Sequence, residues 1–310
     1  MKILLLGANG QLGQTFLEDG RLAETGTLVS ATRDGTLVSG GTCECVDLLS
    51  TTSLEALLNR VEPDLIVNTA AYNAVDRAED EPDQAMRVNS AAVWEMGAWA
   101  SRHGARMVHY SSDYVFDGEK TSPYQPHDPT HPLGAYGRSK QQGERALIES
   151  GAGHLIFRTS WVYSPFGGNF LKTMLRLAGD RDEIRVVADQ HGAPTSASLI
   201  VEGTLAALRD HTGSESPAVL EHLVASGSTT WYEFAQTIFE TALGAGLLRK
   251  APAVLPIRAD EFNSRARRPQ FSVLDNSGFS VRYGLTLAPW RNGVRDVIDS
   301  LMEREGRMPC

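Results

Sequence analysis

Apolar residues in the first half of the chain fall in short runs that end on small or polar residues, at Lys2–Gly7, Thr27–Thr32, Asp64–Asn68, Ala105–Ser111 and His154–Arg158. Such runs read as strands. Between them, stretches near 12–18, 52–60, 82–102 and 135–149 carry apolar positions at helical spacing. Strands alternating with helices make repeated βα units, which require a parallel sheet covered by helices on both faces. The pattern predicts an α/β fold with a doubly wound, Rossmann-type parallel sheet, whose ligands gather at the carboxyl ends of the strands.

The second half is less regular. Helical periodicity returns near 168–178, 196–211 and 231–243, a strand is expected at Leu220–Ala225, and Pro252, Pro256, Pro269 and Pro289 interrupt the rest. No low-complexity linker separates the halves. The expected organisation is a dinucleotide-binding domain over 1–160 and a smaller α/β substrate-binding region over 161–310, with a segment near 196–226 returning to the main sheet.

Charge narrows the partners. The 310 residues carry 29 Lys+Arg against 38 Asp+Glu, a net charge of −9. A nucleic-acid polymer is excluded as partner, because phosphate-backbone binding needs a clustered basic face. The imbalance sits in residues 1–160, with 13 basic and 21 acidic residues, whereas 161–310 holds 16 and 17. Cysteine is found at Cys43, Cys45 and Cys310, which frames neither disulfides nor a four-ligand zinc site. No apolar run reaches the roughly 18 residues of a membrane span, and the apolar start at Ile3–Leu6 is too short for a signal peptide. The expectation is a cytoplasmic protein with no membrane partner.

The first strand runs directly into Gly7-Ala8-Asn9-Gly10-Gln11-Leu12-Gly13, a G-x-x-G-x-x-G turn that opens a helix. Without Cβ atoms at Gly7, Gly10 and Gly13, backbone can approach a pyrophosphate closely, and the helix N-terminus offers unpaired N–H groups and a favourable dipole. This reads as dinucleotide binding. Arg33 ends the second strand, 20 residues after Gly13, where a carboxylate would accept from an NAD ribose. An arginine there suits a 2′-phosphate, so NADPH is expected as cofactor. The alternative is that Asp34 takes the ribose and NADH serves. Asp47 and Leu48 either flank the adenine or, in the case of Asp47, cap a turn.

Tyr136 and Lys140 form Y-x-x-x-K, and a spacing of four puts both side chains on one helix face. A phenol titrates near ~10 and is a poor proton-transfer group until a nearby ammonium favours its phenolate. Lys140 is placed to do that. A hydroxyl from another strand end completes the set in His109-Tyr110-Ser111-Ser112-Asp113-Tyr114.

These residues resemble the extended short-chain dehydrogenase/reductase superfamily. Within it, NTAAYNAVDRAE at 68–79, HYSSDYVFDG at 109–118, LIFRTSWVYSPFGGNF at 155–170 and DQHGAPT at 189–195 resemble the dTDP-4-dehydrorhamnose reductase family, and the likeness runs on to Arg267-Arg268-Pro269 and Pro289-Trp290. The resemblance implies reduction of a 4-keto nucleotide-sugar for deoxysugar or cell-wall polysaccharide synthesis, with Ser112, Tyr136 and Lys140 as catalytic residues. It implies cofactor contacts at Gly10, Gln11, Leu12, Ala70, Ala71, Tyr72 and Asn73, and substrate contacts at Ser112, Asp113, Trp161, Asn169, Gln190 and Arg268. Some family members dimerise around magnesium held by glutamates. The matching positions here are Thr15, Ser198 and Arg291, none a hard-cation ligand of the required charge. No bound magnesium is expected, and a monomer or weak dimer follows. A reductase of another dTDP-4-keto-deoxysugar, or a regulatory subunit of the methionine adenosyltransferase type, shares the fold; the intact Ser112, Tyr136 and Lys140 weigh against the latter.

Of the remaining candidates, the acids at Glu79–Glu81 and Asp83 precede and open a helix at Pro82, where carboxylates are expected from the dipole alone. Trp94 and Trp99 read as core, as do Leu171, Met174 and Leu175. His127 and His131 read as surface residues, and Arg258, Arg265, Arg267 and Arg268 as a basic group suited to phosphate oxygens.

Overall fold

The computed structural model describes residues 1–210 and 218–306, so Cys310 lies outside them. Seven strands form one parallel sheet: β1 (Lys2–Leu6), β2 (Thr27–Thr32), β3 (Glu44–Cys45), β4 (Leu65–Asn68), β5 (Arg106–Ser112), β6 (Gly153–Thr159) and β7 (Ala218–His222). Their spatial order is β7-β6-β5-β4-β1-β2-β3. The order reverses between β1 and β4, which opens a crevice at the carboxyl ends of those two strands. This is the doubly wound sheet that the apolar periodicity predicts.

Alternation along β1 shows why the sheet is covered twice. Ile3 and Leu5 pack with Phe16 and with Ile200, Val201 and Leu205 on one face, while Leu4 and Leu6 pack with Leu54, Leu57, Val93 and Met96 on the other. The first face is covered by helices Gln11–Asp19 and Ala197–Asp210, the second by Thr51–Val61 and Ala92–His103. After Ala197–Asp210 the chain enters β7, whose residues pair with β6 from Ala218↔His154 to His222↔Arg158.

A further apolar cluster lies outside the sheet, built from Tyr163, Leu171, Met174, Ile184, Phe234, Ile238, Trp290 and Val294. Its helices are Phe170–Asp180, Trp231–Gly244 and Trp290–Gly306. It also holds a parallel strand pair, Glu183–Val187 with Ala253–Ile257, that periodicity does not reveal. Pro256 argues against a strand by sequence, yet it is tolerated because the pair has two strands and so two edges.

Two expectations are corrected. The helix expected over 82–102 is a short helix Pro82–Met86, a π-helical turn Arg87–Ala91 and a helix Ala92–His103. Asn89 sits in that turn with its side chain spent outside the helix: its Oδ1 accepts from the Tyr72 amide (2.8 Å), and its Nδ2 donates to the Tyr72 carbonyl (3.0 Å) and to Ser139 Oγ (2.9 Å). A π-turn of this kind is a recognised site of helix kinks. Trp94 is not core: it is 45 % exposed, whereas Trp99 is buried and donates to Asn59. Spacing of five turns their side chains about 140° apart on the helix, so one faces the core and the other solvent.

Candidate active site

The crevice at the carboxyl ends of β1, β4, β5 and β6 is a cleft of about 580 Å³. Each strand contributes its last residues or the turn that follows. From β1 comes the glycine turn: Gly7 takes φ +77°, and a Cβ there would lie 2.7 Å from the Ala70 amide nitrogen. Gly10 caps the helix Gln11–Asp19 and, with Gln11 and Leu12, faces the cleft. The first-turn amides of that helix have no intrahelical acceptor and are suited to an anion. Gly13 plays a different part: a Cβ there would meet the Gly7 carbonyl at 2.3 Å, so it lets the helix pack on the turn and does not line the cleft.

β5 ends on Ser112, whose hydroxyl accepts from the Tyr114 amide (3.1 Å) and donates to Asp113 Oδ1 (2.9 Å). Burial pushes the Asp113 carboxyl up to about 6, against hydrogen bonds from Ser272 and Ser112. The helix Ala135–Glu149 carries Tyr136 and Lys140 into the same cleft, its first amide held by Glu79, whose carboxylate accepts from Ala135 (2.7 Å). Tyr136 meets Tyr114 edge-on at 5.7 Å. Burial raises its phenol well above the ordinary value, although the Ser112 hydroxyl works in the opposite sense. Lys140 is 2 % exposed and donates to the Tyr110 carbonyl at 2.6 Å. Burial pulls its ammonium down to about 8, partly offset by the charge of Glu144. The structure thus brings Ser112, Tyr136 and Lys140 together from two elements: a hydroxyl beside a phenol that is protonated at neutral pH, with a buried ammonium close by.

The far wall is aromatic. Trp161 takes φ +47° just past β6, and its indole stacks on Trp231 with ring centres 3.5 Å apart and planes 6° from parallel. A Cβ on Gly192 would lie 2.4 Å from the Trp161 ring, so only glycine leaves room for that orientation. Asn169 ties this wall to the glycine turn, donating to Gln11 Oε1 (2.9 Å) and to the Ser164 carbonyl (2.8 Å).

A second hollow of about 220 Å³ adjoins the glycine turn, lined by Gly7, Arg33, Asp47, Leu48, Ala70, Ala71 and Asn73 among others. Arg33 is exposed at its rim. Asp34 is committed elsewhere, its Oδ1 accepting from Thr32 Oγ1 (3.0 Å) and the Thr36 amide (3.2 Å), bonds led by that of Thr36 that hold its carboxyl below the ordinary value. Asp47 lines the hollow, and its Oδ1 also accepts from the Leu49 amide at 3.0 Å, as a turn cap does.

Two expected residues lie elsewhere. Tyr72 turns away from both hollows, its hydroxyl donating to Glu81 at 2.8 Å. Gln190 is buried beside a wide open groove of about 1200 Å³ that also takes in Arg265, Arg267 and Arg268. Arg268 lines this groove and the cleft alike, so it stands at their junction. Sequence reasoning overlooked Trp231, which stands at the start of a helix with an ordinary capping box of Thr230 and Glu233 and carries no local signal of a site. It also assigned no role to Asn9, whose side chain pins the loop after Arg33 by bonds to Thr36 and Val38.

The family model described as RmlD substrate binding domain matches residues 1–303. The chain is 40 % identical over 301 residues to the dTDP-4-dehydrorhamnose reductase of Escherichia coli K12, covering 97 % of this chain and 98 % of that one. It is 41 % identical to the Burkholderia thailandensis enzyme of the same name, over 98 % and 100 % of the two chains. Among solved structures, the dTDP-4-dehydrorhamnose reductase of Bacillus anthracis in complex with NADP superposes with a TM-score of 0.86 at 29 % identity, covering 96 % of this chain and 99 % of that one.

Proposed function

The chain belongs to the RmlD substrate binding domain family, and from that premise we propose that it reduces the C4 ketone of dTDP-4-dehydro-6-deoxy-L-mannose to dTDP-L-rhamnose with NADPH. The observation that carries the proposal is the meeting of Ser112, Tyr136 and Lys140 in one cleft with the glycine turn.

The glycine turn fits a dinucleotide pyrophosphate, since Gly10, Gln11 and Leu12 line the cleft where the first-turn amides of the helix Gln11–Asp19 lack intrahelical acceptors. Gly10, Gln11 and Leu12 would hold the pyrophosphate, and Arg33 would meet a 2′-phosphate at the rim of the smaller hollow. When bound, the nicotinamide supplies a hydride to C4. Tyr136 gives its phenolic proton to the oxygen that becomes the hydroxyl. Its raised pKa keeps that proton in place at neutral pH, which suits a donor. Ser112 turns its one hydroxyl proton from Asp113 Oδ1 to the same oxygen as negative charge develops there. Lys140 stabilises the phenolate that remains. Trp161 and Trp231 offer the sugar an apolar wall, and Arg268 offers the diphosphate a guanidinium fork where cleft and groove join.

The finer assignments belong to the same proposal: a cytoplasmic protein, with residues 1–160 and β7 serving the cofactor and the rest of 161–310 the substrate. No helix among the described residues is long and apolar enough to cross a membrane. The protein works as a monomer or weak dimer without a bridging magnesium. In support, Thr15 donates to the Gln11 carbonyl and the Arg291 guanidinium lies 4.3 Å from the Trp290 ring centre, so neither position offers a carboxylate. Stoichiometric magnesium in the purified protein would overturn that part.

The decisive assay supplies dTDP-4-dehydro-6-deoxy-L-mannose with NADPH or NADH and follows loss of nicotinamide absorbance. The expected result is consumption with NADPH and dTDP-L-rhamnose as product; no consumption with either cofactor overturns the proposal. In Tyr136→Phe, turnover should fall by at least ~10²-fold while NADPH affinity stays within a few-fold. A variant with undiminished turnover would remove Tyr136 from its role.

A further inference from the structure

Arg268 is not a free guanidinium. Asp76, in the segment after β4, reaches across the cleft mouth and takes three hydrogen bonds from the loop that carries it. Its Oδ1 accepts from Ser264 Oγ (2.8 Å) and the Ala266 amide (3.1 Å), and its Oδ2 accepts from Arg268 Nη2 (2.9 Å). Ser264 Oγ accepts in turn from Arg268 Nε at 3.2 Å. Arg265 pairs with Asp80 one turn further along the same acidic segment. One carboxylate from the nucleotide-binding part therefore fixes both the backbone and the side chain of the arginine loop.

The geometry also decides which donors remain. Nε and one Nη2 hydrogen are spent on Ser264 and Asp76, and Nη1 lies 3.4 Å from the Tyr114 hydroxyl. What Arg268 still offers is its Nη1–Nη2 end, at the junction of the catalytic cleft and the open groove. Its side chain is 23 % exposed and that of Asp76 is 44 % exposed, so an arriving anion can reach the pair without unfolding the loop. A long side chain held in this way has already lost the rotamer freedom that binding would otherwise remove.

We propose that Asp76 is a positioning residue for the nucleotide-sugar, acting through Arg268 by presenting the end of the guanidinium to the diphosphate. The inference rests on the function proposed above. Asp76 lines neither the cleft nor the hollow beside the glycine turn, so its effect belongs to substrate KM and not to kcat.

The test is a double-mutant cycle assayed with dTDP-4-dehydro-6-deoxy-L-mannose and NADPH. Asp76→Ala should raise the sugar-nucleotide KM about tenfold, the scale of one well-made charged hydrogen bond, with kcat within threefold and NADPH KM unchanged. Arg268→Ala should raise it at least as much. The variant carrying both changes should be no worse than Arg268→Ala alone, because Asp76 has nothing to position once the guanidinium is gone. Should Asp76→Ala not fold, Asp76→Asn takes its place; it keeps an oxygen for Ser264 and Ala266 and loses the charge, and its KM should rise by a smaller factor. An active wild type with unchanged KM in these variants, or a combined variant whose losses multiply, overturns the inference and leaves the functional reading standing. A wild type inert toward the substrate overturns both.

Discussion

Lys140 is kept in the cleft against the preference of its surroundings. Burial pulls its ammonium from 10.5 down to about 8, so the folded protein holds that proton less tightly than the unfolded chain does. The sign follows from linkage. Below pH 8 both states are charged and the cost is present in full; between about 8 and 10.5 the unfolded chain binds the extra proton, and stability from this group rises with pH until the cost is gone. Lys140→Met, close in volume and uncharged, should therefore stabilise the protein at pH 7 by ~1–3 kcal/mol, allowing for the lost bond to the Tyr110 carbonyl. The same variant should lose turnover, and denaturant midpoints at pH 7 and pH 10 would show the gain shrinking with pH. On the role proposed for Lys140, reduction by the wild type should slow as pH rises through about 8, where its ammonium discharges. A flat rate between pH 7 and 9 would deny Lys140 that part. The sequence disclosed this residue through its spacing from Tyr136, but not its burial against β5, where it meets the Tyr110 carbonyl.

At the level of elements, the helix Ala135–Glu149, which carries Tyr136 and Lys140, owes its position to contacts that leave almost no trace in local sequence. A Cβ on Gly143 would lie 2.0 Å from the Asn89 carbonyl, so glycine alone allows the helix to lie against the π-turn Arg87–Ala91. Gly143→Ala must move one backbone or the other. We expect a loss of ~1–3 kcal/mol, the ordinary cost of overpacking, read as a lower urea midpoint with unchanged slope. Activity should fall more than occupancy of the folded state explains, because the displaced helix carries Tyr136 and Lys140 with it. Period and turn signals revealed that helix and β2 to the residue, and the strand ends that surround the cleft to within one residue. They missed the π-turn, since Asn89 is an unexceptional residue until the Tyr72 backbone and Ser139 claim its side chain. They missed the strand pair of Glu183–Val187 and Ala253–Ile257 for the opposite reason, because Pro256 is a local signal that an edge overrides.

For the molecule as a whole, both proposed ligands are polyanions and the chain carries a net charge of −9. Long-range attraction cannot gather them, so affinity has to come from donors at short range, where individual groups outweigh the distant field. The glycine-turn amides provide such donors whatever the cofactor's ribose carries; they do not distinguish NADPH from NADH. On the proposed reading, discrimination falls on the loop after β2. Both Arg33 and Asp34 were plausible from sequence, and the fold separates them: Asp34 turns its carboxylate into its own loop, toward Thr32 and Thr36, while Arg33 stays open at the rim of the hollow with Asp47 and Leu48. A guanidinium on a 2′-phosphate makes charge-assisted bonds roughly twice as strong as neutral ones and has no counterpart on a 2′-hydroxyl. Arg33→Ala should accordingly raise the KM for NADPH by roughly 10–100-fold, change that for NADH by less than threefold, and leave the sugar-nucleotide KM alone. Added salt should weaken NADPH binding in the wild type and much less in the variant, since the screened contact is the one removed. Equal losses with both cofactors would mean that Arg33 supports the shape of the loop, and that the preference for NADPH lies in other residues of the hollow.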